Sequence, residues 1–222
     1  MNQITLLFGT GNAGKLASMS RRLSHLGIQL IGLKDMEAAG KQIPVVEETG
    51  ASPLENARIK AKAYYNAFHM PVFSCDTGLY FEDIPEEYQP GIHVRTVHGK
   101  YLSDEEMIAY YGGLARQFGS LKARYRNAVC FYLDENHIFE SMEDSLSGKS
   151  FLLTAKPYSG TRQPGFPLDS LSVQIESGRY YYDLGKNVQD EVAMDDGFCQ
   201  FFQEALSRRK YTNGNSSDTN VS

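Results

Sequence analysis

The chain has 222 residues, which is long enough for one or two domains with a sizeable core. Its net charge of −5 argues against a general nucleic-acid-binding protein, because such proteins are usually basic. No apolar run approaches about 18 residues and no signal peptide is recognisable, so the sequence predicts no membrane span. Three cysteines without metal-like spacing favour a reducing, cytoplasmic setting.

The first predicted elements form a β-α-β unit. The apolar run Ile4–Phe8 predicts a buried strand, and Lys15–Leu26 carries apolar residues at helical spacing until Gly27 stops the helix. Ile28–Leu33 predicts a second strand. A helix that connects two strands implies that the strands are parallel.

The next segment carries a strong helix-start signal. Ser52-Pro53-Leu54-Glu55 combines an N-cap, a first-turn proline and a capping box, and it predicts a helix to about Phe68. Val72–Cys75 then predicts a short strand that ends in a turn at Asp76-Thr77-Gly78.

The second half of the chain predicts two helices and one strand pair. These are a helix from the capping box at Ser103–Glu106 to about Phe118, paired strands at Tyr125–Leu133 and Ile138–Ser145, and a closing helix at Gly197–Leu206. We expect residues 1–206 to form one domain and the polar residues 207–222 to form a disordered tail.

A glycine turn at Phe8–Lys15 lies between a predicted strand and a predicted helix N-terminus. Such a turn directs backbone N–H groups to one point, where the helix dipole and Lys15 add positive charge, so it predicts phosphate binding. Three known patterns fit this turn. The first is a dinucleotide fingerprint with Asp35 as the ribose-binding acid, and the second is a P-loop in which Leu16 replaces the required Ser or Thr. The third is T-G-N-x-x-K, in which Asn12 and Lys15 contact the ligand. A tight turn without a ligand is the fourth alternative.

Charged residues elsewhere suit the same chemistry. Asp76 follows an apolar strand, where a carboxylate holds Mg²⁺ or takes a proton from water, unless it only forms a turn. Glu48 is a second oxygen ligand or part of a solvated acidic loop. Lys60 shares a helix face with Asn56. Together with Lys15 on the other side of a cleft, Lys60 is expected to bind phosphate; the alternative is an exposed surface lysine.

Four motifs occur in a fixed order. They are T-G-N-A-G-K (Thr10–Lys15), E-E-T-G-A-S-P-L-E-N-A-R-I-K-A (Glu47–Ala61), D-T-G-L (Asp76–Leu79) and P-G-I-H-V-R (Pro90–Arg95). In order and spacing they resemble the inosine triphosphate pyrophosphatase family, whose members hydrolyse non-standard purine nucleoside triphosphates. Ala123–Tyr125 and Gly165–Asp169 are weaker matches to later motifs of that family.

The resemblance implies a fold, a reaction and a set of site residues. The fold is α/β, an elongated mixed sheet of two lobes with flanking helices and a central substrate cleft, usually dimeric. The reaction releases pyrophosphate and a nucleoside monophosphate, and it needs Mg²⁺, with Mn²⁺ as a substitute. Asp76 and Lys15 are the implied catalytic residues, and Glu48 and Asp76 hold the metal. The implied substrate contacts are Thr10, Gly11, Asn12, Ala13, Gly14, Lys15, Lys60, Thr77, Arg95, Phe166, Asp169 and Lys186.

The chain departs from the family pattern at three places. Cys75 replaces an acid before Asp76. In the base-recognition segments, Pro167-Leu168 replaces the central Gly-Tyr of the base-stacking motif, and Asp195-Asp196-Gly197 stands where the family has Ser-His-Arg. Aspartates accept hydrogen bonds, whereas the 6-oxo group of inosine needs a donor. The sequence therefore predicts intact phosphate chemistry with a weakened preference for inosine and xanthosine, unless Lys186 or Arg179 supplies the donor.

These observations predict a Mg²⁺-dependent nucleoside triphosphate pyrophosphatase of divergent specificity. The alternatives are a catalytically weak nucleotide-binding or sensing protein with the same fold, and an NAD(P)-binding oxidoreductase. The predicted partners are the nucleoside triphosphate and a second copy of the chain, without nucleic acid or membrane.

Overall fold

The computed structural model describes residues 3–184 and 197–214, and for 209–214 it describes the backbone alone. These residues divide into two compact units that interleave along the chain. Unit 1 comprises 3–76, 128–146 and 197–214, and unit 2 comprises 77–127 and 147–184.

The elements are named here in chain order. The strands are β1 (Ile4–Phe8), β2 (Ile28–Gly32), β3 (Val72–Phe81), β4 (Thr96–Val97), β5 (Lys100–Tyr101), β6 (Leu121–Asp134), β7 (His137–Ser141), β8 (Phe151–Leu153) and β9 (Ser172–Val173). The α-helices are α1 (Ala13–Leu23), α2 (Leu33–Ala38), α3 (Pro53–Phe68), α4 (Asp104–Phe118) and α5 (Gly197–Gly214). Strands β3 and β6 each contribute residues to both units.

Unit 1 contains the predicted β-α-β start. Strand β1 lies between β2 and β3 and runs parallel to both, with Leu6 opposite Leu30 and Leu7 opposite Val72. Strand β7 pairs with β6 in antiparallel orientation. The core of this unit is apolar and includes Leu7, which is fully buried, and Tyr64 from α3. Parallel and antiparallel pairs together make a mixed sheet, which agrees with the predicted α/β class.

Unit 2 is built around α4 and the strand series β6-β8-β9. Strand β8 pairs antiparallel with both β6 and β9, and Leu121 lies opposite Leu153. A buried cluster that includes Leu79, Tyr111 and Phe151 packs these strands against α4. The predicted capping box is present, since Ser103 Oγ accepts a hydrogen bond from the Glu106 N–H and the Glu106 carboxylate accepts one from the Ser103 N–H.

Two predictions of local structure were wrong, and one short helix was not predicted. The turn at Asp76-Thr77-Gly78 is instead part of β3, because the buried residues Leu79 and Phe81 continue the strand. Helix α2 was not expected. Asp35 Oδ2 accepts a hydrogen bond from the Gly32 N–H, so this carboxylate caps the start of α2 and is not free to bind a ribose. Glu55 does not complete a capping box with Ser52, since its carboxylate accepts from the Ala51 N–H.

The end of the chain differs from expectation as well. Helix α5 continues beyond the predicted Leu206 to Gly214, so residues 207–214, expected in a disordered tail, are helical. Residues 215–222 lie outside the described part of the chain. The single domain over residues 1–206 stays a prediction.

Candidate active site

The glycine turn leads directly into α1, and Asn12 is the residue that caps this helix. The Asn12 side-chain oxygen accepts hydrogen bonds from the Gly14 N–H at 2.8 Å and the Lys15 N–H at 3.1 Å. Thr10 Oγ1 in turn accepts from the Asn12 N–H at 3.2 Å. Two of the N–H groups expected to bind phosphate are thus already capped, so a phosphate that used them would have to displace the Asn12 side chain.

A cluster of opposite charges lies elsewhere in unit 1. The Lys60 ammonium is 2.9 Å from Glu48 Oε2 and 3.1 Å from Asp76 Oδ1, so it joins two carboxylates that are remote in sequence. The Lys60 side chain is 12 % exposed, which rules out the freely solvated surface lysine that was the alternative. Asp76 is 19 % exposed and Glu48 is 44 % exposed. Unit 1 therefore brings together Glu48, Lys60 and Asp76 as a partly buried group.

Asn56 belongs to the same group, although it was not among the expected site residues. Its side-chain amide donates to Asp76 Oδ2 at 3.1 Å, and its side-chain oxygen accepts from the Gly50 N–H at 2.8 Å. Asn56 is only 3 % exposed. The available signal was its spacing, since Asn56 lies one helical turn before Lys60 and so faces the same direction.

Two glycines permit the close packing of these segments. A Cβ atom on Gly9 would lie 2.2 Å from Ser74 Oγ and 2.7 Å from a ring carbon of Tyr64. A Cβ atom on Gly50 would lie 2.8 Å from Asn56 Oδ1. Gly9 therefore lets the turn before α1 pack on β3 and α3, and Gly50 lets the Glu48 loop pack on the start of α3.

The charges of two lysines act on the thiol of Cys75 in β3. Burial raises the pKa of the Cys75 thiol to about 12, and the charges of Lys15 and Lys60 oppose that rise. Burial lowers the pKa of Lys60, but its hydrogen bonds and charge interactions with Glu48 and Asp76 outweigh this effect and raise the pKa overall. Lys60 is accordingly a stable cation.

Other expected residues lie in unit 2, and there Asp104 links two of them. Arg95 donates to Asp104 Oδ1 at 2.7 Å, while Asp104 Oδ2 accepts from the Gly165 N–H at 2.7 Å. Asp104 thereby ties Arg95 to the segment that carries Phe166, a side chain that is 52 % exposed. The Gly165 N–H and the Arg95 guanidinium both lower the pKa of Asp104.

The two remaining described candidates in unit 2 have separate surroundings. Thr77 Oγ1 donates to Asn127 Oδ1 at 2.7 Å. Burial raises the pKa of the Asp169 carboxyl, which interacts electrostatically with Tyr125. Lys186, Asp195 and Asp196 lie outside the described residues, so the expected lysine segment and the replaced Ser-His-Arg segment are named here without a structural account.

The donor set of unit 1 fits a hard divalent cation. Within the described residues, no group of three or more His, Cys, Asp or Glu side chains forms a metal cluster. Glu48 and Asp76 nevertheless direct oxygens to one point, because both contact the same ammonium. Mg²⁺ is commonly held by one or two carboxylates together with the phosphate oxygens of a substrate. Glu48 and Asp76 match that pattern, and they do not match the closed nitrogen and sulfur set of a zinc site.

Comparison with known proteins identifies the family. The Ham1 family model matches residues 6–171, which is most of the chain and contains every expected site residue except Lys186. The chain belongs to the Ham1 family. Two relatives are named dITP/XTP pyrophosphatase. The one from Leptospira interrogans is 30% identical over 168 residues, covering 76% of this chain and 79% of the relative. The one from Leptospira biflexa is 26% identical over 205 residues, covering 92% and 97%.

Solved Ham1 structures have the same fold. A HAM1 protein from Coxiella burnetii aligns with a TM-score of 0.70 and 20% identity over 94% of this chain and 100% of that one. The Staphylococcus aureus Ham1 protein aligns with a TM-score of 0.66 and 18% identity over 96% and 100%. The predicted α/β fold, a mixed sheet with flanking helices, is thus confirmed, and so is the family resemblance seen in the sequence.

Proposed function

We propose that this Ham1 protein hydrolyses a non-standard purine nucleoside triphosphate to the monophosphate and pyrophosphate. The observation that carries the proposal is the group formed by Glu48, Lys60 and Asp76 in unit 1. The names of its relatives support the reaction class, since dITP/XTP pyrophosphatases are hydrolases of phosphoric anhydrides. A nicotinamide-dependent oxidoreductase is not supported, because Asp35 caps α2 and the family model accounts for the glycine turn.

The proposed site combines charge neutralisation with a positioned carboxylate. Lys15 and Lys60 neutralise phosphate charge and stabilise the charge that develops on the leaving pyrophosphate. Ham1 pyrophosphatases generally depend on a divalent metal. We assign that ion as Mg²⁺ held by Glu48 and Asp76, where it supplies further neutralisation of the triphosphate when bound.

Asp76 is proposed to orient the attacking water. A carboxylate has about four lone-pair positions, and in this structure Lys60 and Asn56 occupy one on each oxygen of Asp76. The remaining positions accept a hydrogen bond from water, and a carboxylate so placed takes up the proton that the water loses. Because Lys60 and Asn56 restrain both oxygens, the water is held in a fixed direction.

Product analysis tests the proposal. The protein is incubated with ITP, XTP, ATP and GTP at one Mg²⁺ concentration, and the products are separated by ion-exchange chromatography. Monophosphate and pyrophosphate in equal amounts are expected. Diphosphate and orthophosphate would contradict the proposal, and tight binding without turnover would favour the alternative of a nucleotide-sensing protein. Removal of divalent cations with EDTA should abolish product formation, and added Mn²⁺ should restore it.

The remaining assignments concern setting and assembly. Among the described residues, no helix combines the length and apolar character needed to cross a membrane. We assign the protein to the cytoplasm, with Cys75, Cys130 and Cys199 as reduced thiols, and expect a homodimer that does not bind nucleic acid. Light scattering after size-exclusion chromatography tests the dimer, for which twice the monomer mass of 24.9 kDa is expected.

A further inference from the structure

Asn56 is a polar residue that is almost completely buried beside the proposed site. It lies in the first turn of α3 and is 3 % exposed, so its amide group has lost nearly all contact with solvent. A buried amide is costly unless its polar atoms find partners. Both ends of the Asn56 side chain are satisfied, one by Asp76 and the other by the Gly50 backbone.

The two partners of Asn56 belong to different parts of the proposed site. Asp76 lies on β3, whereas Gly50 follows Glu48 in the loop that precedes α3. That loop approaches Asn56 so closely that a Cβ on Gly50 would lie 2.8 Å from Asn56 Oδ1. Asn56 therefore spans from the loop that presents Glu48 to the carboxylate of Asp76.

Asn56 and Lys60 contact different oxygens of the Asp76 carboxylate. Lys60 binds Oδ1 and Asn56 binds Oδ2, each at 3.1 Å. Lys60 alone would leave the carboxylate free to rotate about the one oxygen that it holds. The neutral donor on the second oxygen fixes the plane of the carboxylate without adding a second positive charge.

We propose that Asn56 is a positioning residue that sets the orientation of Asp76 and couples it to the Glu48 loop. This inference rests on the proposed function, because it assigns Asn56 a part in that reaction through Asp76. Asn56 is not expected to touch the nucleotide. Loss of partners that support a functional carboxylate typically costs about 10- to 100-fold in metal affinity or activity, and we expect a loss of that size in kcat.

Two variants distinguish the contributions of the two hydrogen bonds made by the Asn56 side chain. Asn56→Asp has nearly the same shape and keeps an acceptor for the Gly50 N–H, but when ionised it replaces the donor to Asp76 by a like charge. Asn56→Leu is of similar size and uncharged, and it lacks both bonds. We expect both variants to lower kcat by about 10- to 100-fold while KM changes less than about threefold. Asn66→Asp is the matched control, because it makes the same change at an exposed position of the same helix.

A double variant tests whether Asn56 acts through Asp76. In an Asp76→Asn background, Asn56→Leu should lower the residual kcat less than about twofold, because the carboxylate to be positioned is already absent. Mn²⁺ affinity, measured by electron paramagnetic resonance on the protein without nucleotide, gives a readout apart from turnover. We expect Asn56→Leu to weaken it about tenfold and Asn66→Asp to leave it unchanged.

The outcomes distinguish failure of the inference from failure of the proposed function. A wild-type protein that releases no pyrophosphate would contradict the proposed function, and Mn²⁺ affinity would then decide on Asn56 alone. An active wild type with an Asn56→Asp variant of normal kcat would show that the hydrogen bond from Asn56 to Asp76 is not needed and would overturn the inference. If Asn56→Leu fails to fold, as judged by circular dichroism, Asn56→Asp still decides, since it retains the Gly50 bond.

Discussion

The charged group around Asp76 in unit 1 differs in composition from the Arg95–Asp104 pair in unit 2. In unit 1, one ammonium, that of Lys60, is shared by the carboxylates of Glu48 and Asp76, so negative charge is in excess. In unit 2, the Arg95 guanidinium pairs with the single carboxylate of Asp104, which also accepts from a backbone N–H. An excess of carboxylate attracts a further cation, whereas a matched pair fixes the position of a loop. The first group matches the cation-assisted hydrolysis that we propose, and the second fixes the segment that carries Phe166.

The largest expected loss of kcat comes from substitution of Asp76 in unit 1. Asp76→Asn keeps the size and polarity of the side chain but removes its charge, so water loses its proton acceptor. We expect kcat to fall by about 10²- to 10⁴-fold, the usual scale for a positioned acid–base group. Steady-state pyrophosphate release measures this loss, and Asp83→Asn on the exposed surface is the control. Near-normal kcat would remove Asp76 from the mechanism.

A smaller loss is expected at Lys15. Among the described residues its ammonium has no ion-pair partner, so its charge is available to phosphate. Lys15→Ala removes a charge-assisted contact, and we expect kcat/KM to fall by about 10- to 100-fold through both turnover and binding. Lys34→Ala, another exposed lysine of unit 1, should leave kcat/KM unchanged. Equal effects of the two substitutions would indicate a general charge effect.

Base preference tests whether the segment that carries Phe166 affects recognition of the substrate. With Asp195-Asp196-Gly197 in place of Ser-His-Arg, we expect kcat/KM for ITP to exceed that for ATP by less than about 10², or roughly 2.7 kcal/mol. Asp104→Ala frees Arg95 and the Phe166 segment and should change this ratio several-fold while kcat with ITP stays within about threefold. Glu87→Ala, at an exposed position of unit 2, is the control. A ratio above 10² in the wild type would mean that a donor to the 6-oxo group is still present.

Substitution of Gly9 is expected to change catalysis least, because it acts on the stability of the fold. Gly9→Ala forces a methyl group against Ser74 and Tyr64 and should lower the free energy of unfolding by about 1–3 kcal/mol. Nothing lies within 4 Å of a Cβ built on Gly11, so Gly11→Ala should change stability by less than about 0.5 kcal/mol. Urea denaturation compares the two variants. A fully stable Gly9→Ala protein would contradict the packing described for this turn.

Local signals in the sequence predicted most helices and strands. The N-cap and proline before α3 and the capping box before α4 act within a few residues, and both helices begin and end close to their expected positions. The predicted turn after Cys75 failed because turn propensity competed with the burial of Leu79 and Phe81, and burial depends on the rest of the fold. Helix α2 was missed because it is short and follows a glycine, Gly32, instead of a residue whose side chain caps a helix.

The candidate site was predictable in composition but not in its contacts. Motif resemblance selected Glu48, Lys60 and Asp76, yet nothing in the sequence indicated that one ammonium joins the two carboxylates. Asn56 was recognised only as a neighbour of Lys60, because its importance comes from hydrogen bonds to residues distant in the chain. The Arg95–Asp104 pair was missed for the same reason.

The position of water attack tests the central claim most directly. If Asp76 aligns water against the α-phosphorus, hydrolysis of ITP in H₂¹⁸O should place the label in the monophosphate and leave the pyrophosphate unlabelled. Mass spectrometry of the separated products after a single turnover gives the answer. Label in the pyrophosphate would mean attack at the β-phosphorus, and it would contradict the site proposed around Asp76.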